Sequence, residues 1–195
     1  MSVSLALRLR NATADVHREI ETSLDLLGEH LRLADYVALL RAFHGFLAPW
    51  EARLAASGHV SAEEAAERRH SGRLEADLAH FGEHALADIA HAGALPRLDS
   101  AAAVLGSRYV IEGSTLGGRI VGPHLQRRFG LADGRGCAYF NGYGTRTGAM
   151  WKAFQAQLAR APEAMHAAAV ESARDTFRLL HDWLAQHRQC RKAVA

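Results

Sequence analysis

The chain has 195 residues, of which 49% are hydrophobic, and its 23 basic and 21 acidic side chains leave a formal net charge of only +2. This length suits one compact domain with a substantial core, and the apolar content excludes an intrinsically disordered chain. Because the basic residues are spread along the whole chain, the composition lacks the concentrated positive patch of a nucleic-acid-binding protein.

Three features of the sequence point to a reducing compartment. Cys137 and Cys190 form neither a Cys-x-x-Cys pair nor a disulfide framework. The first ten residues lack the apolar stretch of a signal peptide, and no run approaches the roughly 20 apolar residues that cross a bilayer. We therefore expect a cytoplasmic protein with no membrane anchor.

Apolar residues recur at spacings of three and four, which predicts an all-α protein without strands. The first helix is expected to begin near Ser4 and to end at Gly28, where glycine supplies a stop. A second helical stretch begins near Ala34, and Pro49 is expected to kink or divide it.

The rest of the chain, from Ser61 onwards, continues the helical pattern. The motif Ser61-x-x-Glu64 predicts a capping box that opens a charged segment reaching about His91. The remaining expected elements are a cap at Asp99 or Ser100 with a helix to about Arg128, a glycine-rich loop over 133–148, and helices over 147–159 and 162–187. Without an internal repeat or a long linker, residues 1–195 are expected to form a single domain, with a mobile tail after about 188.

Thr13, His17 and Glu21 lie one helical turn apart on the first helix. The Glu21 carboxylate can approach the imidazole and fix its tautomer, which leaves the other ring nitrogen free for a metal. Arg10, two turns before His17, can meet a carboxylate of a ligand that rests on this helix. A hydrogen-bonded core histidine or an exposed salt-bridged helix would show the same spacing, so the pattern alone leaves these interpretations open.

Another unusual helical segment carries four glycines: Gly113, Gly117, Gly118 and Gly122. Each interior glycine costs a helix roughly 1 kcal/mol relative to alanine, so the cluster needs a reason. Either the glycines allow close packing on another helix, or a flat ligand must touch the bare backbone and the helix must bend above it. A dinucleotide-binding loop is excluded because no strand precedes the glycines.

Three segments of the chain, in order, resemble heme oxygenases. Leu9-Arg-Asn-Ala-Thr-Ala-Asp-Val-His17-Arg-Glu-Ile-Glu21 resembles the proximal helix of the family, and Tyr109-Val-Ile-Glu-Gly-Ser-Thr-Leu-Gly-Gly118 resembles the distal helix of its bacterial branch. Tyr139-Phe-Asn-Gly-Tyr-Gly-Thr-Arg-Thr-Gly-Ala-Met-Trp-Lys-Ala-Phe154 is similar to a segment of members encoded beside bacterial phytochromes. The resemblance implies an all-α, heme oxygenase-like helical bundle with heme between the proximal and distal helices.

The resemblance also assigns roles to single residues. His17 would be the neutral axial ligand of the heme iron, with Glu21 as its support. Arg10 and Lys152 match positions that meet heme propionates, and Phe177 resembles an aromatic residue of the pocket wall. Thr13 and Tyr109 belong to the matching motifs of the proximal and distal helices, and the distal residues expected above the reacting heme are Gly113, Ser114, Gly117 and Gly118.

One position departs from the mammalian pattern. Mammalian members carry an aspartate directly after the first distal glycine, where it organises the water that protonates bound oxygen, and this chain has Ser114 there. Because bacterial members commonly lack this aspartate, activity is still expected, with a proton route through water held by the backbone and other groups.

The implied reaction is oxidative cleavage of heme at a meso carbon to biliverdin, carbon monoxide and ferrous iron. Glycines supply no side chain that drives cleavage of the O–O bond, and this favours attack on the porphyrin over peroxidase-like chemistry. The implied partners are heme, O2 and an external electron donor such as a ferredoxin or an NAD(P)H-dependent reductase. A bacterial phytochrome is a further candidate, as acceptor of the product.

Three alternatives remain open at the level of sequence. The nearest is a non-catalytic heme-binding or heme-trafficking protein on the same scaffold, which would also keep His17. A di-iron carboxylate protein would use the Glu-x-x-His pairs Glu67/His70 and Glu163/His166, although chance produces such pairs in a chain with 12 histidines. His80 and His84 have the spacing of a surface metal site, but solvated histidines give the same pattern.

Overall fold

The computed structural model describes residues 3–192, with side chains described as far as His187. Over this range the chain is helical and contains no strand, as predicted. Its α-helices are α1 (Leu5–Leu24), α2 (Leu33–Ala56), α3 (Ala62–Glu67), α4 (Ser71–His80), α5 (Ala101–Phe129), α6 (Thr147–Arg160) and α7 (His166–Lys192). Short 3-10 turns lie at Leu86–Asp88, Gly144–Arg146 and Glu163–Met165. The predicted mobile tail after about 188 falls largely outside the described side chains.

Serine side chains start three of the helices where the sequence predicted them. The hydroxyl oxygens of Ser4, Ser61 and Ser100 each accept a hydrogen bond from the backbone N–H three residues later. The Glu64 carboxylate binds the Arg108 side chain at 2.6 Å, so Glu64 connects α3 to α5.

Of the two predicted effects of Pro49, a division of α2 does not occur, and a kink stays a prediction. Proline lacks the N–H that would bond the carbonyl of Gly45, four residues earlier. That carbonyl accepts a hydrogen bond from the backbone N–H of Ala92 instead, at 2.9 Å. A side chain on Gly45 would collide with the carbonyl of Ala90, since an added Cβ would lie 2.2 Å from that oxygen. A loop from elsewhere in the chain therefore satisfies the freed carbonyl, and α2 continues to Ala56.

Two other boundaries differ from the expectation. The first helix ends at Leu24 rather than Gly28, because Asp25 adopts a left-handed conformation with φ of 44°. The charged segment expected to reach His91 is not one helix; α3 and α4 are separate, and Gly82, with φ of 81°, follows the end of α4.

The last helix organises the fold, because α7 packs along α1, α2 and α5. Its buried residues contribute to one apolar core; the bulkiest fully buried side chains of that core include Tyr36, Leu40, Phe46, Leu47, Leu125 and Phe154. None of the described helices combines the length and the hydropathy that a membrane crossing requires.

Candidate active site

The open faces of α1 and α5 form the candidate site, and the two helices are tied together at both ends of it. At one end the side chains of Thr13 and Tyr109 lie close together. At the other end the Arg128 guanidinium donates to the backbone carbonyls of Glu29 and Leu31, in the loop that follows α1. The two helices therefore run in the same direction, and we call the region between their facing sides the slot.

His17 lies on the α1 side of the slot. Its side chain is 50% exposed, although Thr13 and Ile20 on the neighbouring turns are buried. The imidazole contacts the Phe177 ring of α7 edge-on, with 5.6 Å between the centroids. The ring is therefore held on one side by an aromatic contact and remains accessible on the other, so the interpretation as a buried core histidine is wrong.

Glu21 approaches the imidazole as predicted, but loosely. Its Oε1 atom lies 3.7 Å from His17 Nε2, which is an ion-pair distance rather than a hydrogen bond. The Glu21 side chain is 63% exposed, and the His17 side chain is 50% exposed. The carboxylate is thus within reach of the ring without fixing either nitrogen.

The glycines of α5 serve two purposes on two faces of the helix. An added Cβ at Gly118 would lie 1.8 Å from the carbonyl oxygen of Phe140, and one at Gly122 would lie 2.8 Å from Asn141 Oδ1. An added Cβ at Gly117 would meet nothing within 4 Å, and one at Gly113 would meet only the Trp151 ring at 4.0 Å. Close packing therefore explains Gly118 and Gly122, whereas Gly113 and Gly117 leave bare backbone facing the slot.

Ser114 shares this open face with Gly113 and Gly117, and its side chain is exposed. The Ser114 hydroxyl donates to the carbonyl of Ile111 at 2.8 Å, within its own helix. Burial raises the pKa of the Tyr139 phenol, and the nearby Ser114 side chain opposes that shift.

The last helix joins the two sides of the slot. Thr176 donates to Ser107 of α5 at 2.9 Å, and its neighbour Phe177 is the residue in contact with His17. Because α7 contacts both α1 and α5, it fixes the separation between these two helices.

Of the other predicted site residues, Arg10 lies near the tie point formed by Thr13 and Tyr109. Arg10 is exposed and lies close enough to Tyr109 to favour its ionised form, although burial dominates and raises the pKa of that phenol. Lys152 is exposed on α6, directly after Trp151, whose ring packs 5.9 Å from that of Tyr109. Arg10 therefore lies at this end of the slot, whereas the position of the Lys152 ammonium beside it stays a prediction.

The sequence analysis missed a buried ionic network behind α5. Arg68 pairs with Glu112 at 2.8 Å, with side chains 8% and 4% exposed, and Arg108 pairs with Glu64 at 2.6 Å. The Tyr143 hydroxyl donates to Glu112 Oε2 at 3.1 Å. Arg108 and Glu112, four apart on an otherwise apolar helical face, were the sequence signal for this network.

His70 belongs to the same network. Its Nε2 lies 3.3 Å from the Tyr143 hydroxyl and its Nδ1 lies 3.2 Å from Arg73. Burial, and then the charges of Arg73 and Arg68, lower the pKa of His70 to about 3, so the ring is neutral. A small cavity borders this network and is lined by Glu51, Glu64, Arg68, His70, Arg108 and Glu112, among others.

The alternative metal sites do not assemble. Glu67 points to Arg146 at the surface, at 3.0 Å, while His70 faces the buried network. Among the described side chains, His, Cys, Asp and Glu nowhere gather in groups of three that could hold a metal ion. The pairs proposed for a di-iron centre, and the spacing of His80 and His84, therefore find no support in the fold.

Comparison with known proteins gives a consistent result. The family model for heme oxygenase matches residues 3–186. A heme oxygenase from Xanthomonas campestris pv. campestris (strain 8004) is 32% identical over 180 residues, which cover 91% of this chain and 97% of that protein.

Solved heme oxygenase structures share the fold. The NO- and CO-bound enzyme from Neisseria meningitidis superposes with a TM-score of 0.75 at 19% identity, covering 95% of this chain and 92% of that one. Heme oxygenase-2 from Synechocystis sp. PCC 6803, in complex with heme and NO, gives 0.76 at 18% identity, covering 98% and 88%.

Proposed function

This chain belongs to the heme oxygenase family and is a heme oxygenase, and we propose that it opens heme in the slot between α1 and α5. The single observation that carries this proposal is the pairing of an accessible imidazole, His17, with the bare backbone of Gly113 and Gly117 on the other helix. A flat macrocycle requires this combination: a ligand for its metal on one face and no side chains on the other. Neither a heme-trafficking role nor a di-iron centre is favoured by the comparisons.

His17 is proposed as the axial ligand of the iron. Neutral imidazole is a common protein ligand of heme iron, and a half-exposed ring needs no rearrangement of the core to reach it. The exposed side chain can turn so that Nε2, which now faces Glu21, reaches the slot instead. The contact with Phe177 restricts the ring to this region without occupying either nitrogen.

The heme propionates are proposed to lie at the Thr13–Tyr109 end of the slot. Arg10 lies close to Tyr109, and Lys152 is exposed on α6 next to Trp151, so the two side chains would supply two positive charges for two carboxylates. Tyr109, partly buried and close to Thr13, would close the slot beside them.

The open face of α5 supports attack on the macrocycle itself. Bare backbone at Gly113 and Gly117 provides no acid or base that would split an O–O bond, so oxygen held there is directed to a meso carbon. In the proposed reaction that carbon leaves as carbon monoxide, the opened tetrapyrrole leaves as biliverdin and the iron as ferrous ion. Oxygen is reduced by electrons from an external donor.

The donor is proposed to be a ferredoxin or an NAD(P)H-dependent reductase, and a bacterial phytochrome is a proposed acceptor of the bilin. The cytoplasmic location and the single-domain organisation over 1–195 remain predictions from the sequence.

Hemin titration followed by turnover tests the proposal. Hemin should bind one-to-one with an imidazole-ligated absorption spectrum, and addition of a reductant and O2 should convert the Soret band through verdoheme to biliverdin. Chromatography against the biliverdin isomers then identifies the meso carbon attacked. A stable oxygenated spectrum that never progresses would contradict the reaction, and the absence of an imidazole-ligated complex would contradict the site.

A further inference from the structure

The segment 137–141, which we call the support segment, lies directly behind the glycines of α5, and no step of the proposed function uses it. The carbonyl of Phe140 leaves no room for a side chain on Gly118, and the Cys137 thiol donates to the carbonyl of Gly122 at 3.7 Å. The contact at Gly118 joins backbone to backbone, so no flexible side chain can absorb a shift between the two. Because the adjacent residue, Gly117, faces the slot, only the backbone of α5 separates the support segment from the reacting face.

Asp77 of α4 holds the middle of the support segment. Its side chain is fully buried, and its two carboxylate oxygens accept hydrogen bonds from the backbone N–H groups of Ala138, at 2.7 Å, and Tyr139, at 2.8 Å. Two bonds to one carboxylate fix the orientation of the peptide units as well as their position, and bonds to an ionised group are the stronger ones. The carbonyl that presses on Gly118 belongs to the next residue, Phe140.

The remaining anchors of the support segment lie on α2. The Tyr36 hydroxyl donates to the carbonyl of Gly136 at 2.8 Å, just before the segment begins. The Phe140 ring packs against the rings of Tyr36 and Phe43, with 6.0 and 6.1 Å between centroids. These contacts would keep the segment in the core if the bonds to Asp77 were lost, so removal of those bonds should loosen the middle of the segment without releasing it.

We propose that Asp77 is a positioning residue for the reacting face of the slot: through the support segment it sets where the bare backbone at Gly117 lies. Glycines allow a helix to bend, so the path of α5 at this point depends on what it rests against. A ligand on the heme iron would meet that backbone directly, and a small shift of α5 would change its surroundings. The inference rests on the proposed function, because it requires heme in the slot.

Hydrogen exchange in the heme-free protein tests the link from Asp77 to α5. Asp77→Asn keeps one acceptor oxygen, but its NH2 group faces a backbone N–H, so one of the two hydrogen bonds is lost. Exchange followed by mass spectrometry should become faster by about tenfold in peptides that cover residues 113–122. Unchanged exchange in these peptides would overturn the proposal without any reference to heme.

Carbon monoxide bound to the reduced, heme-loaded protein tests the link from α5 to the reacting face. The C–O stretching band, measured by infrared spectroscopy, depends on the groups around the ligand. In Asp77→Asn the band should broaden or split, because α5 can adopt more than one position above the ligand. Turnover should fall by about tenfold or more, whereas hemin affinity should stay at the wild-type value, since His17 and Arg10 are untouched. A wild-type band would contradict the proposal.

Glu51→Ala is the matched control. Glu51 is also a carboxylate that accepts two backbone N–H groups, those of His70 and Ser71, and it does so at the other end of α4. The variant loses at least as many hydrogen bonds as Asp77→Asn, but none of them holds the support segment. Its stability should fall at least as far, while the exchange of residues 113–122 and the C–O band stay as in the wild type. Equal changes in both variants would overturn the proposal, because general destabilisation would explain them.

Gly118→Ala covers the case in which Asp77→Asn does not fold. It changes the same contact from the α5 side and leaves both hydrogen bonds of Asp77 available. Its C–O band should also differ from that of the wild type, and an identical band would contradict the role of the contact. A wild-type protein that forms no histidine-ligated CO complex would instead refute the proposed function, and this inference with it.

Discussion

The ring of Phe177 on α7 lies edge-on against the imidazole of His17 on α1, with 5.6 Å between their centroids and 72° between their planes. Phe177 is only 7% exposed, whereas half of the His17 side chain is accessible. The contact therefore joins a residue of the core to the residue proposed to ligate iron. It gives the histidine a defined position at the edge of the slot.

Removing Phe177 should affect both stability and ligand binding. Phe177→Ala leaves a cavity and should lower the free energy of unfolding by about 3 kcal/mol, measured by urea denaturation. It should also weaken hemin binding, because the imidazole loses its support. Leu74→Ala, in a fully buried position on α4, should cost similar stability and leave hemin affinity unchanged. Equal loss of affinity in the two variants would argue against a specific role for the contact.

Replacement of His17 should separate heme binding from iron ligation. His17→Ala should still bind some hemin, since the slot and its cationic end remain, but it should lose the imidazole-ligated spectrum and normal turnover. Added imidazole should restore part of the spectrum, because it can occupy the space left by the side chain. His30→Ala, at an exposed position after α1, serves as the control. Wild-type biliverdin production by His17→Ala would refute the ligand assignment.

Local sequence patterns predicted the helices and the residues on the two sides of the slot. They could not predict contacts between segments that are distant in the chain. Ser4, Ser61 and Ser100 start helices because a cap depends only on the next three residues. Pro49 failed as a helix breaker because Ala92, far along the chain, satisfies the carbonyl that proline frees.

The different roles of the α5 glycines could not be predicted from the sequence either. Gly117 and Gly118 are adjacent, and the sequence gives no way to tell their roles apart. Only the approach of the Phe140 carbonyl to Gly118 shows which of the two is needed for packing.

These two glycines provide a matched test of the slot. Gly117→Ala meets no neighbouring atom, so the gain in helix propensity should raise the free energy of unfolding by up to about 1 kcal/mol. The same methyl group should nevertheless reduce turnover, because it projects onto the face where oxygen reacts. Unchanged turnover and product in Gly117→Ala would count against this face of α5 as the cover of the heme.

Gly118→Ala should have the opposite effect on stability. Its Cβ would lie 1.8 Å from the carbonyl oxygen of Phe140, so the segment after α5 must move away. We expect a loss of more than about 2 kcal/mol in the free energy of unfolding, the scale of overpacking a well-filled site. Thermal or urea denaturation of the two alanine variants, measured side by side, checks the contrast.

The ionic network behind α5 should matter far more than ion pairs at the surface. Glu112→Ala removes the nearer carboxylate of buried Arg68 and leaves only Glu64, at 3.6 Å, so we expect a loss of about 3 kcal/mol in the free energy of unfolding. Glu67→Ala breaks an exposed pair with Arg146 and should cost less than about 1 kcal/mol. Similar losses in the two variants would mean that the buried pair contributes no more than a surface one.

The buried histidine of this network should make the fold sensitive to acid. The pKa of His70 is about 3 in the folded protein and about 6.5 in an unfolded chain. Between these values only the unfolded state binds the proton, so the stabilisation is complete above pH 6.5 and is lost as the pH falls towards 3. Each pH unit in this range should lower the free energy of unfolding by about 1.4 kcal/mol, or about 2 kcal/mol between pH 6.5 and pH 5.

His70→Gln isolates this contribution, because glutamine keeps a hydrogen-bonding side chain beside Tyr143 but cannot take up the proton. Urea denaturation at pH 7.5 and pH 5 should show a smaller loss of stability in this variant than in the wild type, by about 2 kcal/mol. Groups that titrate equally in both proteins, such as the buried Glu51, cancel in the difference. His59→Gln, at an exposed position, should lose as much stability as the wild type. If His70→Gln did so as well, the proton that destabilises the fold in acid would have to bind elsewhere.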